Sequence, residues 1–170
     1  MTEHRLHITQ GEYATGQDPD VVISTLLGSC VSCCLWDPLA GVGGMNHMLL
    51  AKPSAGETAR ALSGINAMEV LINTLIKLGA KRTRLQAKAF GGARMISGLS
   101  DIGAENAEFT VSFLRQESIP LVTQSLGGNR ARNVRFWPAT GRVMQKLTDA
   151  TVREVESDTP VGRDDGIELF

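Results

Sequence analysis

Residues 24–47 read STLLGSCVSCCLWDPLAGVGGMNH, and the rest of the chain is organised around this stretch, which holds all three cysteines and the one histidine away from the N-terminus. Val31 to Trp36 is rich in β-branched and apolar residues, Asp37 to Gly41 is turn chemistry, and Val42 to Leu50 is apolar again with two glycines. Strand, turn and strand make a β-hairpin. With Trp36 opposite Gly41 or Val42, the ladder brings Cys30 opposite His47 or its neighbour Met48, and directly opposed side chains stand roughly 5 Å apart at Cβ. A bulge at Gly43-Gly44 would shift that register by one. Alternation along the first strand puts Val31, Cys33 and Leu35 on one face. Cys30 and Cys34 lie on the other, about 13 Å apart at roughly 3.3 Å per residue.

These residue types suit nucleophilic chemistry. A thiol with a pKa of about 8.5 is little ionised at neutral pH, and a neighbouring imidazole takes its proton to leave a thiolate–imidazolium pair. Gly28 permits close approach of backbone to a substrate, and the amides around Ser29 and Cys30 are expected to face an oxyanion. Ser24 ends the apolar run Val21-Val22-Ile23, and its hydroxyl is the expected acceptor from the far ring nitrogen of His47, completing a Cys-His-Ser constellation. Other readings compete. By residue type alone Cys30 is a buried, inert cysteine. Cys30-Val31-Ser32-Cys33 is formally a Cys-x-x-Cys, but zinc needs a second ligand pair where only His47 is near, and a redox pair normally opens a helix whereas CVSCCLW reads as a strand. No metal site is expected.

The runs TLLGSC at 25–30, DP at 37–38, GGMNH at 43–47, AKAFGGARM at 87–95, IGAEN at 102–106, LGG at 126–128 and VRFWPATGRV at 134–143 together resemble the chemoreceptor glutamine deamidase family, CheD, of bacterial and archaeal chemotaxis. The likeness spans roughly residues 10 to 147, in order and with matching spacings. It implies a cysteine hydrolase that converts particular receptor glutamines to glutamates through a thioester, releasing ammonia. In the resemblance the nucleophile matches Cys30, the base His47 and the third member Ser24, where many relatives carry threonine. Gly91 and Gly92 would join Gly28 and Ser29 in shaping the substrate loop. Water is the second nucleophile, so no metal or organic cofactor is needed. The implied partners are chemoreceptor cytoplasmic domains as substrate and a CheC-type phosphatase. A chain that acts mainly as an adaptor for that phosphatase or for receptors is the rival reading, and glutamyl methyl-ester hydrolysis is open to the same thioester chemistry.

At 170 residues with 42% hydrophobic content, the chain suits one core, expected over 1–147, with a polar, flexible tail over 148–170 whose last residues Ile167, Leu169 and Phe170 could dock on the domain or a partner. Seventeen basic against eighteen acidic residues leave a net charge of -1 and no field for nucleic acid or an anionic membrane. No stretch reaches the roughly 20 apolar residues of a membrane span, and MTEHRLHITQ lacks a signal-peptide core, so a cytoplasmic protein with reduced thiols is expected.

Further along, strands are expected at 5–9, 21–25, 84–90, 119–123 and as a hairpin over 134–147, with loop between the first two. Apolar residues at three- and four-residue steps predict a helix over 57–78, stopped by Gly79, and a second helix is expected over 104–117. Arg130, Arg132, Arg135 and Arg142 read as a solvated strand face. Together these elements predict an α/β layered sandwich of mixed or antiparallel β-sheet with two to three helices, which is also the fold the CheD resemblance implies.

Overall fold

The computed structural model describes residues 2–95, 101–148 and 167–170. In chain order its strands begin with β1 (His4–His7), β2 (Tyr13–Gly16), β3 (Val21–Leu27), β4 (Val31–Asp37) and β5 (Val42–Asn46). Helix α1 (Glu57–Lys77) follows, then β6 (Gln86–Gly91) and helix α2 (Ile102–Gln116). The chain continues through β7 (Leu121–Leu126), β8 (Ala131–Trp137), β9 (Arg142–Thr148) and β10 (Ile167–Leu169).

The strands form two five-stranded sheets, ordered β1-β3-β8-β9-β10 and β2-β5-β4-β6-β7. Each is antiparallel except for one parallel pair, β1 with β3 and β6 with β7. β4 alternates between two cores, as its sequence predicts. Cys33 and Leu35 face Met68, Leu71, Ile72 and Leu75 of α1 and Phe113 and Leu114 of α2. Cys34 and Trp36 face the other sheet, among Ile23, Leu27, Phe136 and Val143. The layers therefore run helices, sheet, sheet, which is the expected α/β layered sandwich with mixed sheets.

The β4–β5 register differs from the expected one, and the turn explains it. Asp37, not Trp36, is the last paired residue and faces Val42. The Gly41 N–H donates to the Asp37 carbonyl at 2.9 Å, while the Leu39 and Ala40 N–H groups donate to its carboxylate at 2.9 and 3.0 Å. Asp37 thus closes a wider turn, Cys34 pairs with Met45, and an isolated pair joins Val31 to Met48. Gly43 and Gly44 form no bulge. A side chain at Gly43 would meet the Pro138 carbonyl at 2.5 Å, and one at Gly44 the Ala14 carbonyl at 2.8 Å.

Two strands have no counterpart in the sequence reading. β2, expected as loop, pairs with β5 opposite those glycines. β10 pairs with β9, and beyond it Phe170 exchanges backbone hydrogen bonds with Val143 and sets its ring edge-on to Phe90 at 5.2 Å. The rest of the expected tail, residues 149–166, lies outside the described residues.

The Asp37 side chain is fully buried, and burial alone would raise its carboxyl. The Arg84 guanidinium outweighs this at 2.9 Å, with the N–H groups of Lys81, Ala40 and Leu39, and holds it well below the usual carboxylate range. Removing one partner of such a pair leaves the other uncompensated. Asp37→Ala should therefore lower unfolding stability by about 3 kcal/mol, seen as a lower urea midpoint at unchanged slope.

Candidate active site

The connection Gly28-Ser29-Cys30 carries the chain from β3 in one sheet to β4 in the other. Its carbonyls are held by the Gly91-Gly92 turn: Cys30 C=O accepts from the Gly92 N–H at 2.9 Å, and Gly28 C=O from the Ala93 N–H at 3.0 Å. Both glycines have positive φ, +112° and +67°, and a Cβ at Gly91 would lie 2.2 Å from the Cys30 carbonyl oxygen. Only glycine lets the turn come so close. Arg132 braces it from β8. Rather than lying on a solvated face, its side chain is buried and donates to the carbonyls of Gly91 at 3.2 Å and Gly127 at 2.9 Å.

His47 follows β5, and its backbone is strapped to the Thr9–Glu12 turn: its N–H donates to Glu12 C=O at 3.0 Å and its C=O accepts from the Gly11 N–H at 2.9 Å. Because Val31 pairs with Met48, Cys30 and His47 are not directly opposed. The register sets them diagonally across the Val31–Met48 pair, a relation in which Cα atoms typically stand about 7–8 Å apart. The Cys30 thiol instead reaches the side-chain oxygen of Gln10 at 4.0 Å, so a carboxamide already lies against it.

The hydroxyl on His47 belongs to Thr25, and Ser24 is elsewhere. Ile23, Thr25 and Leu27 share the inward face of β3, while Ser24 points outward, where its hydroxyl lies 3.2 Å from His7 Nδ1. Thr25 Oγ1 lies 2.7 Å from His47 Nδ1 and 2.7 Å from the Ile8 carbonyl oxygen. A carbonyl can only accept, so the single hydroxyl proton goes to Ile8, and the oxygen then accepts from His47 Nδ1–H. That assignment leaves Nε2 with its lone pair, the tautomer a general base requires. The sequence signal for Thr25 is its place as the one polar residue in the inward alternation of Ile23 and Leu27.

Burial also changes the expected charge state. Cys30 and His47 are each only 8% exposed. Desolvation pushes the Cys30 thiol up to about 11. It pulls the His47 imidazolium down to about 4, with the positive charge of His7 adding to the effect and Glu12 opposing it. The resting pair is therefore a neutral thiol and a neutral imidazole, where the sequence suggested thiolate and imidazolium.

Residues 49–147 match the family model described as CheD chemotactic sensory transduction. The chain is 52% identical over 162 residues to the "Probable chemoreceptor glutamine deamidase CheD" of Caulobacter vibrioides (strain NA1000 / CB15N), covering 92% of this chain and 86% of that protein. It is 48% identical over 182 residues to the protein of the same name from Rhizobium rhizogenes, covering 99% and 97%. A looser likeness, with TM-score 0.47 and 13% identity over 73% of this chain and 60% of the other, relates it to the crystal structure of Bacillus licheniformis YfiH. The chain belongs to the CheD family. Among the described residues no helix is long and apolar enough to cross a membrane.

Two outcomes follow from the titration of the pair. At neutral pH the Cys30 thiolate fraction should be roughly a hundredfold below that of an unperturbed cysteine, so iodoacetamide labelling of Cys30, read by peptide mass, should be slow at pH 7.5 and climb through about pH 11. For His47 the unfolded chain takes up a proton near 6.5 and the folded protein only near 4. Between those values the unfolded state binds more protons, so stability falls as pH drops from about 6.5 to about 4. The loss is about 3 kcal/mol, and His47→Gln should flatten it in urea titrations at the two pH values.

Proposed function

We propose that this chain hydrolyses the side-chain amides of specific chemoreceptor glutamines to glutamates, releasing ammonia, with Cys30 as nucleophile and His47 as base and acid. The observation that carries the roles is the Ile8–Thr25–His47 chain of hydrogen bonds, which commits the ring proton to Nδ1 and leaves Nε2 as the basic nitrogen. The names of the relatives supply the substrate class. The Gln10 carboxamide against the thiol supports an amide substrate, because a glutamine side chain reaches Cys30 without rearrangement.

The steps follow from the neutral pair. As Sγ attacks the amide carbon, His47 Nε2 takes the thiol proton, so charge forms only with substrate present. The Ser29 and Cys30 N–H groups stabilise the oxyanion. The imidazolium returns its proton to the departing nitrogen, the C–N bond breaks, ammonia leaves and a thioester remains. Water then attacks that thioester, His47 accepting its proton, and collapse gives glutamate and the regenerated thiol. Thr25 keeps the ring oriented and stabilises Nδ1–H throughout. The protein acts on the cytoplasmic part of receptors, in a compartment that keeps Cys30 reduced.

Incubation with a receptor cytoplasmic fragment, followed by peptide mass spectrometry, tests this. Discrete glutamines should gain the mass of conversion to glutamate with the wild-type protein and none with Cys30→Ala or His47→Ala. Thr25→Ala should slow turnover roughly tenfold to a hundredfold, the worth of one buried hydrogen bond to a reacting group, while Ser24→Ala leaves it intact. Full turnover by Cys30→Ala would sink the assignment, and a stoichiometric receptor or phosphatase complex with every glutamine unchanged would favour the adaptor reading.

A further inference from the structure

Asn106, on the second turn of α2, is fully buried and uses both ends of its side-chain amide. Nδ2 donates to the Ser29 carbonyl at 2.9 Å, and Oδ1 accepts from the Leu50 N–H at 3.1 Å. The partners fix which end is which, because a carbonyl only accepts and a backbone N–H only donates. One side chain thereby joins the loop that carries Cys30 to the segment that follows His47. The helix is seated for this purpose against the glycine turn: a Cβ at Gly103 would lie 2.2 Å from the Ala93 carbonyl and 2.5 Å from that of Gly92.

The consequence lies in the peptide plane. In a trans peptide the C=O and the following N–H point in opposite directions. With Ser29 C=O drawn toward Asn106, the Cys30 N–H must point the other way, and with Gly28 C=O drawn to Ala93 the Ser29 N–H is likewise turned outward. Among the described residues neither N–H has a hydrogen-bond partner. Two adjacent, unpaired backbone donors beside a thiol are what a developing oxyanion needs, provided the peptide cannot rotate.

We infer that Asn106 is the positioning residue of the oxyanion site, locking the Ser29–Cys30 peptide so that the Cys30 N–H faces the reacting carbonyl. This rests on Cys30 being the nucleophile. An apolar side chain of the same size would serve α2 packing equally well, so packing leaves the amide unexplained; its two bonds, to elements 77 and 56 residues away, are what the amide contributes. Asn106 touches no reacting atom and acts only through the peptide it holds.

The test compares wild type, Cys30→Ala, Asn106→Leu, which preserves volume, and Asn106→Asp, which keeps the acceptor for Leu50 but sets an oxygen against Ser29. Two reactions of the same thiol are measured at a temperature where circular dichroism shows each variant folded. Deamidation of a receptor fragment passes through an oxyanion. Alkylation by iodoacetamide at pH 9 displaces iodide and forms none. Both Asn106 variants should lose about a hundredfold or more in kcat, the worth of one oxyanion donor, with KM and the Cys30 alkylation rate each within about threefold of wild type. Turnover and alkylation falling together in whichever variant folds would overturn the inference, since that is the signature of a disordered loop, as would wild-type turnover in Asn106→Leu. Absence of Cys30-dependent turnover in the wild type would overturn the deamidase reading and this inference with it, a result distinct from the other two.

Discussion

The structure depends on satisfying a stretch of backbone that crosses between two packed sheets. Gly28, Ser29 and Cys30 take the chain from β3 to β4 through a region where water cannot answer every polar group, and a buried carbonyl without a partner costs free energy comparable to a lost hydrogen bond. Their three carbonyls are answered by Ala93, Asn106 and Gly92, from a turn and a helix far along the chain. The close approach at Gly91, the seating of α2 on Gly103 and the burial of Arg132 all serve this arrangement. A chain that pins all its carbonyls on one side presents its N–H groups on the other, so the demands of folding also generate an electrophile-facing surface.

The same burial sets the chemistry of the pair. A low-polarity seam disfavours both a thiolate and an imidazolium, so Cys30 and His47 rest in their neutral forms. A neutral thiol in a crevice is protected from stray electrophiles. In the mechanism proposed for the pair, charge separation is confined to the moment when a carbonyl accepts electron density and the amide donors can hold it. Thr25 is suited to this regime because a hydroxyl, unlike a carboxylate, orients the ring without forcing it to protonate; its own proton is committed to Ile8.

Much of the framework was legible because it rests on short-range periodicity. The period of two in β4 assigns Cys33 to the helix side and Cys34 to the inter-sheet side, and the three- and four-residue apolar steps through Met68, Leu71, Ile72 and Leu75 mark the buried face of α1. The register was not legible, because it turns on Asp37, whose carboxylate is engaged by Arg84, 47 residues on, as well as by its own turn. The sequence points to Ser24 rather than Thr25 because Val22 and Ile23 are both apolar and both buried, which hides the phase of the alternation at the place where it matters. β2 is not legible because Tyr13-Ala14-Thr15-Gly16 carries little apolar side chain, and β10 because three residues are too few to show a period; each exists by pairing with an edge already formed.

What the sequence by itself determined is the set of actors: a thiol and an imidazole flanking one hairpin, glycines where backbone must approach backbone, and a motif pattern whose family the comparisons bear out. Periodicity and turn chemistry are local, so a single chain displays them. Tertiary structure alone decided which hydroxyl faces His47, that the register sets Cys30 and His47 diagonally across the Val31–Met48 pair, that burial favours their neutral forms, and that Asn106 holds the Ser29 carbonyl. Those outcomes depend on hydrogen bonds and desolvation contributed by residues tens of positions apart, and no local pattern encodes which distant partner a buried polar atom will find.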